Sequence, residues 1–196
     1  MACSELRLVL ASASPRRREL LARFGLPFEV IPALGGESAG AQLTPGELVT
    51  ALASAKAAEV CARLADENAV VIGADTVVEL DGEILGKPGT AEKAAQMLRA
   101  LSGKTNRVWS GLCVRRGGQT VTAAECTAVR FRVLTDAEID AYVATGEPLD
   151  KAGAYGYQGL ASLFVEGIEG DYFNVVGLPL CRLGAMLRSF GVELLQ

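Results

Sequence analysis

Apolar and polar positions along the chain alternate between short unbroken runs and stretches of helical period. Leu6 to Ala11 is an apolar run with the length and bounding of a buried strand. It leads into Ser14-Pro15, where Ser at the N-cap and Pro at the first helical position predict a helix start. Leu20, Leu21 and Phe24 supply that helix with an apolar face, and Gly25 is placed to end it. Leu26 to Ile31 predicts a short second strand, followed by a Gly/Ala-rich loop over 32–42. Thr44-Pro45-Gly46-Glu47 is a capping box opening an alanine-rich helix that runs to about Leu64.

Ala69 to Leu80 reads as an apolar strand interrupted at Gly73-Ala74-Asp75-Thr76, and Asp81-Gly82 turns it into a hairpin with Glu83 to Leu85. Thr90 caps a helix ending before Gly103. Two strand-like segments follow, Arg107 to Arg116 and Thr120 to Leu134, joined at Gly117-Gly118. Thr135 to Glu138 is a second capping box, for a helix ending near Gly146. After the glycine-rich loop Glu147 to Gly159, a hairpin of Ala161 to Val165 with Phe173 to Val175 is expected, then a helix from about Pro179 to Phe190. Strands alternate with helices early and pair antiparallel in the middle, which predicts an α/β fold with a mixed central sheet. No repeat or linker divides the chain, so residues 1–196 are expected to form one domain or two closely packed lobes.

Composition narrows the class. Half the residues are hydrophobic and 21% are charged, too apolar for disorder. No run approaches the ~20 residues of a membrane span. The start, MACSELR, lacks a basic segment followed by an apolar one, so a cytoplasmic protein is expected. A net charge of −4 argues against nonspecific nucleic-acid binding. Five widely spread cysteines form no C-x-x-C pair, so reduced and mostly buried thiols are expected, not zinc. The chain has no histidine, which removes Ser-His-Asp, Cys-His and imidazole–metal chemistry together. Catalysis is left to carboxylates, lysines, arginines and hydroxyls, with or without a hard, oxygen-bound metal ion.

The first helix carries Arg16, Arg17 and Arg18 in its opening turn, where the macrodipole disfavours cations by ~0.3–1 kcal/mol each. Beside the unpaired N–H groups of a helix start they make an anion site, with phosphate the expected anion; the plainer alternative is a solvated basic face. Asp75 lies in an apolar strand, costly to bury unless it is paired, binds a cation or is satisfied by backbone N–H groups. Lys87, in the loop Gly86-Lys87-Pro88, either reaches a phosphate or is a plain loop lysine. Lys56 continues the helical stripe of Leu48 and Leu52, so it either snorkels at the edge or points into a cleft. Glu37 and Gln158, both on glycine-rich loops, say little singly, although an amide can read a base edge. Asp150-Lys151 reads as a local ion pair or a further phosphate contact. Gly103-Lys104-Thr105 resembles the end of a P-loop but fails, because Leu98 stands where its earlier glycine belongs. Together these groups suit a polyphosphate held by cations and a metal ion.

LASASPRRRELL, GADTVVELDGEILGKP, and EPLDKAGAYGYQG followed by NVVGLPL resemble the Maf family of nucleoside triphosphate pyrophosphatases, in order and over nearly the whole chain. The resemblance implies a mixed α/β fold of two lobes around a deep cleft, similar to inosine triphosphate pyrophosphatases. It implies cleavage between the α- and β-phosphates, to a monophosphate and pyrophosphate, with Mg²⁺ or Mn²⁺. By motif, Asp75 matches the catalytic acidic residue, which accepts a proton or holds metal. Ser12, Arg16 and Arg17 match the phosphate-binding start, and Lys56 and Lys87 the cleft lysines. Arg16, Thr76 and Gln158 match positions linked to base choice. Lys151 and the YGYQG run resemble the branch acting on dTTP and UTP. The 7-methyl-GTP branch, and a nucleotide-sensing regulator of septum formation without turnover, are the alternatives; a homodimer is among the oligomeric states left open. Three segments depart from the pattern. Gly36-Glu37 replaces the usual acidic pair, leaving Glu37 as a lone metal ligand beside Asp75; Ala51 and Ala55 stand where Arg and Glu are usual, and Asn106 where His is common.

Overall fold

The apolar run near the amino end forms β1 (Leu8–Leu10), buried at every position. The structure, a computed structural model, describes residues 7–35 and 43–194. β1 leads into α1 (Pro15–Ala22), where the Ser14 side chain accepts the Arg17 amide and Pro15 takes the first position. The helix stops short of Phe24, because the Phe24 and Gly25 amides bond three residues back and tighten the last turn. The second strand is shorter than its sequence suggests, β2 (Glu29–Val30), exposed at both residues. In α2 (Pro45–Leu64) both halves of the expected capping box are made: Thr44 Oγ1 accepts from the Glu47 amide and Glu47 Oε2 from that of Thr44.

The expected interruption at Gly73–Thr76 is absent. β3 (Val70–Leu80) runs unbroken through those residues, and only Thr76 is not fully buried. Gly73 has another purpose there: a Cβ on it would lie 2.1 Å from the Ala53 carbonyl oxygen and 3.0 Å from the Ala57 methyl. The alanines of α2 and the bare glycine of β3 let helix and strand approach closely.

The remaining elements are β4 (Glu83–Leu85), α3 (Ala91–Leu101), β5 (Thr105–Arg116), β6 (Gln119–Phe131), α4 (Asp136–Ala144), β7 (Val165–Glu169), α5 (Tyr172–Val176) and α6 (Leu180–Arg188). Between α4 and β7 the chain makes three short 3-10 turns. The expected hairpin of Ala161 to Val165 with Phe173 to Val175 does not form. β7 pairs with β6 instead, Ala128 opposite Glu169, and Phe173–Val175 is helical. Asp171 explains the change, since its Oδ1 accepts the Phe173 amide at 2.7 Å and starts a turn that a strand would not tolerate.

Among the described residues, seven strands form a mixed sheet in the order β2-β1-β3-β5-β6-β7, with β4 added to β3. β1 is parallel to β2 and to β3, with Leu8 opposite Val70 and Leu10 opposite Ile72. β4 is antiparallel to β3, and β7 to β6. The chain divides into two units: one of Met1–Asp75, Ser110–Glu125 and Gly177–Gln196, the other of Thr76–Trp109 and Cys126–Val176. The first has a core of Val9, Ala53, Ala57, Val60, Val71 and Cys113. The second is packed around Leu98, Leu101, Phe131, Ile139, Tyr155 and Phe164. Of the described cysteines Cys113 is buried, Cys61 and Cys126 are half-buried and Cys181 is exposed, so the thiols are less buried than expected. Burial raises the pKa of Cys61 and Cys113. Among the described residues no helix is long and apolar enough to cross a membrane.

Candidate active site

In the first unit, the expected site residues gather where β1 meets α1 and where β3 passes α2. Asp75 is 6% exposed. Such a carboxylate is costly unless its charge is met. Lys56 meets it: Nζ donates to Asp75 Oδ1 at 2.5 Å, the side chains being 18% and 8% exposed. The alternatives for Lys56 are thereby resolved in favour of the inward-pointing one. The pair is set by the close approach at Gly73, since Lys56 belongs to the same stretch of α2 as Ala53 and Ala57.

Arg17 is held by hydrogen bonds within this unit. Its Nε donates to the Gly177 carbonyl at 2.8 Å, and Nη1 to the Ala74 carbonyl at 3.0 Å and to Ser12 Oγ at 3.2 Å. Arg17 therefore ties the first turn of α1 to the residue preceding Asp75. It acts as a brace for the strand as well as a cation near it. Ser12, also 6% exposed, accepts from Arg17 and from the Ser14 amide at 3.2 Å. A hydroxyl that accepts twice can still donate its own proton to an anion. Arg16 is half-exposed and Arg18 exposed on the same helix start. Ser12, Arg17, Lys56 and Asp75 form one bonded neighbourhood.

The second unit holds the rest. Thr76 is half-buried on β3, Lys87 is exposed in the loop after β4, and Gln158 is exposed in a turn closed by the Gly159 amide on the Gly156 carbonyl at 2.9 Å. Lys151 pairs with Asp150, as the local ion pair read from the sequence. Glu37 lies outside the described residues. Among those described, no group of three or more Asp, Glu, Cys or His side chains could hold a metal ion.

Two features were not read from the sequence. Glu79, buried in β3, accepts the Gly82 amide at 3.0 Å and Trp109 Nε1 at 3.4 Å, and so fixes the β3–β4 turn. Tyr142 and Glu147 bond to each other and to the loop bearing Gln158. A carboxylate directly after the helix-ending Gly146 was the available signal for Glu147. For Glu79 the signal was a second acid in the same apolar strand as Asp75.

A model of the family described as Maf-like protein matches residues 7–190. The chain belongs to the Maf family. Among curated Maf relatives, the dTTP/UTP pyrophosphatase of Moorella thermoacetica is 58% identical over 190 residues, 95% of this chain and 96% of that protein. The dTTP/UTP pyrophosphatase of Bacillus cereus is 48% identical over 187 residues, 95% of this chain and 97% of its own. Among solved structures, the Staphylococcus aureus Ham1 protein aligns with a TM-score of 0.46 at 16% identity, covering 64% of this Maf chain and 71% of Ham1.

Proposed function

We propose that this Maf protein hydrolyses dTTP and UTP to the monophosphate and pyrophosphate. The observation that carries the reading is the buried Asp75–Lys56 pair beside a serine and arginine helix start, in a chain without histidine. The pyrimidine substrates follow from the names of relatives matching over 95% of the chain.

Water attacks the α-phosphorus as Asp75 Oδ2 takes its proton, the bond from that phosphorus to the bridging oxygen breaks, and pyrophosphate leaves with the electron pair. Lys56 keeps the Asp75 carboxylate oriented from its Oδ1 side. Ser12 donates its hydroxyl proton to a phosphate oxygen, Arg16 adds charge, and Arg17 both adds charge and braces Ala74 and Ser12. Lys87 stabilises the departing pyrophosphate, and Gln158 with Thr76 and Arg16 reads the base: an amide offers a donor and an acceptor to the O4/N3–H edge of thymine or uracil.

Asp75 is one hard oxygen donor partly neutralised by a lysine, which suits Mg²⁺ or Mn²⁺ arriving with the triphosphate, since Mg²⁺ commonly uses one or two carboxylates plus substrate phosphates. Asp75 would hold the ion, with Glu37 as the second carboxylate. When bound it neutralises phosphate charge and polarises the α-phosphoryl group.

A nucleotide panel with pyrophosphate detection tests the proposal. Release is expected from dTTP and UTP with Mg²⁺ or Mn²⁺, is abolished by EDTA and returns on adding the metal. Full activity in EDTA would remove the metal from the account. Tight dTTP binding without release would favour the regulator, and preference for 7-methyl-GTP the other branch.

A further inference from the structure

We propose that Tyr142 and Glu147 form a clasp that sets the position of Gln158 and thereby the enzyme's choice of base; this rests on the base-reading role proposed for Gln158. The turn Gly156–Gly159 carries Tyr157 and Gln158 at its two corners. Its first residue is tied to Tyr142, and the residue that follows it, Leu160, to Glu147. The Gly156 amide donates to the Tyr142 hydroxyl at 3.2 Å, and that hydroxyl donates to Glu147 Oε1 at 3.0 Å. The Leu160 amide donates to Glu147 Oε2 at 3.1 Å. Gln158 thus projects from a loop whose flanking amides are fixed two residues away on either side.

Four further observations show that the clasp is built in. A Cβ on Gly159 would lie 2.2 Å from Glu147 Oε1, so only glycine lets the carboxylate come this close. Tyr142 is itself rigid, buried in α4 with its ring edge-on to Phe164 at 5.2 Å. Its phenol stays protonated, because burial raises its pKa well above the ordinary range. The Tyr157 ring packs edge-on against Tyr172 at 5.5 Å, holding one corner of the turn while Gln158 stays exposed at the other. Neither Tyr142 nor Glu147 needs to touch the nucleotide. They are positioning residues, and what they position is an amide whose hydrogen bonds must be aimed to discriminate between bases.

The test compares Tyr142→Phe, Glu147→Ala and Gln158→Ala. Kinetics are measured with dTTP, UTP, CTP and GTP, and hydrogen exchange at the Gly156 and Leu160 amides. Tyr142→Phe keeps the ring on Phe164, so it carries the test if Glu147→Ala folds poorly. Both clasp variants should raise exchange at their amides about tenfold, the equivalent of one hydrogen bond. They should also lower kcat/KM for dTTP and UTP several-fold, mainly through KM, and narrow the gap to CTP as Gln158→Ala does. If Gln158→Ala changes the nucleotide ranking and the clasp variants leave it unchanged, the clasp has no part in specificity and the proposal fails. If Gln158→Ala itself leaves the ranking unchanged, the base-reading role falls and takes the clasp's function with it. A lower kcat with the ranking intact would make Tyr142 and Glu147 merely structural.

Discussion

Asp75→Asn is expected to lower kcat for dTTP by about a thousandfold, within the ~10²–10⁴-fold range of a general base and with further loss from a weakened cation site. Asparagine keeps the shape of the side chain and can still accept from Lys56 through Oδ1. What it loses is the charge and the ability to take a proton. The fold should survive: Lys56 keeps a polar partner and 18% of its side chain remains exposed to water, so the melting temperature should fall by only a few degrees. Binding of dTTP should weaken less than turnover, because Ser12 and the arginines of α1 are untouched. The measurement is steady-state kinetics with a thermal melt on the same preparation. Turnover within about tenfold of the wild type, ~1.4 kcal/mol in barrier, would remove Asp75 from the chemistry.

Gly73→Ala is expected to be strongly destabilising for so small a substitution. The added methyl would sit 2.1 Å from the Ala53 carbonyl oxygen and 3.0 Å from the Ala57 methyl, and both neighbours belong to α2. A backbone carbonyl cannot rotate away as a side chain can, so helix and strand must separate. Overpacking of this kind costs roughly 3 kcal/mol, or about 6–12 °C in melting temperature for a chain of this size. The same separation would draw Lys56 from Asp75, so activity should fall with stability. Gly86→Ala is the control. Nothing lies within 4 Å of its would-be Cβ, and it should melt within about 2 °C of the wild type. Equal melting of the two variants would show that the α2–β3 contact is looser than described.

Local signals in the sequence located the elements well. Ser14-Pro15, Thr44 to Glu47 and Thr135 to Glu138 each cap a helix within four residues, and all three caps are made. Where the deciding partner is remote, the sequence misleads or is silent. Gly73 looked like a break in β3 because the carbonyl that requires it, on Ala53, lies twenty residues earlier on another element. The stripe containing Lys56 could not say whether the lysine snorkels or turns inward, since Asp75 answers that question from β3. Phe173 to Val175 has a strand composition, but Asp171 caps it into a helical turn. The bracing role of Arg17 was silent because its backbone partners, at Ala74 and Gly177, carry no side-chain signature. Glu147 drew no notice because its meaning depends on Tyr142 and on two loop amides.

Hydrolysis of dTTP in ¹⁸O-labelled water, with both products analysed by mass, tests the central claim most directly. Attack of water on the α-phosphorus places one ¹⁸O in the phosphate of dTMP and none in pyrophosphate. Label in the pyrophosphate, or release of orthophosphate in its place, would mean that water attacks another phosphorus, and would contradict the account.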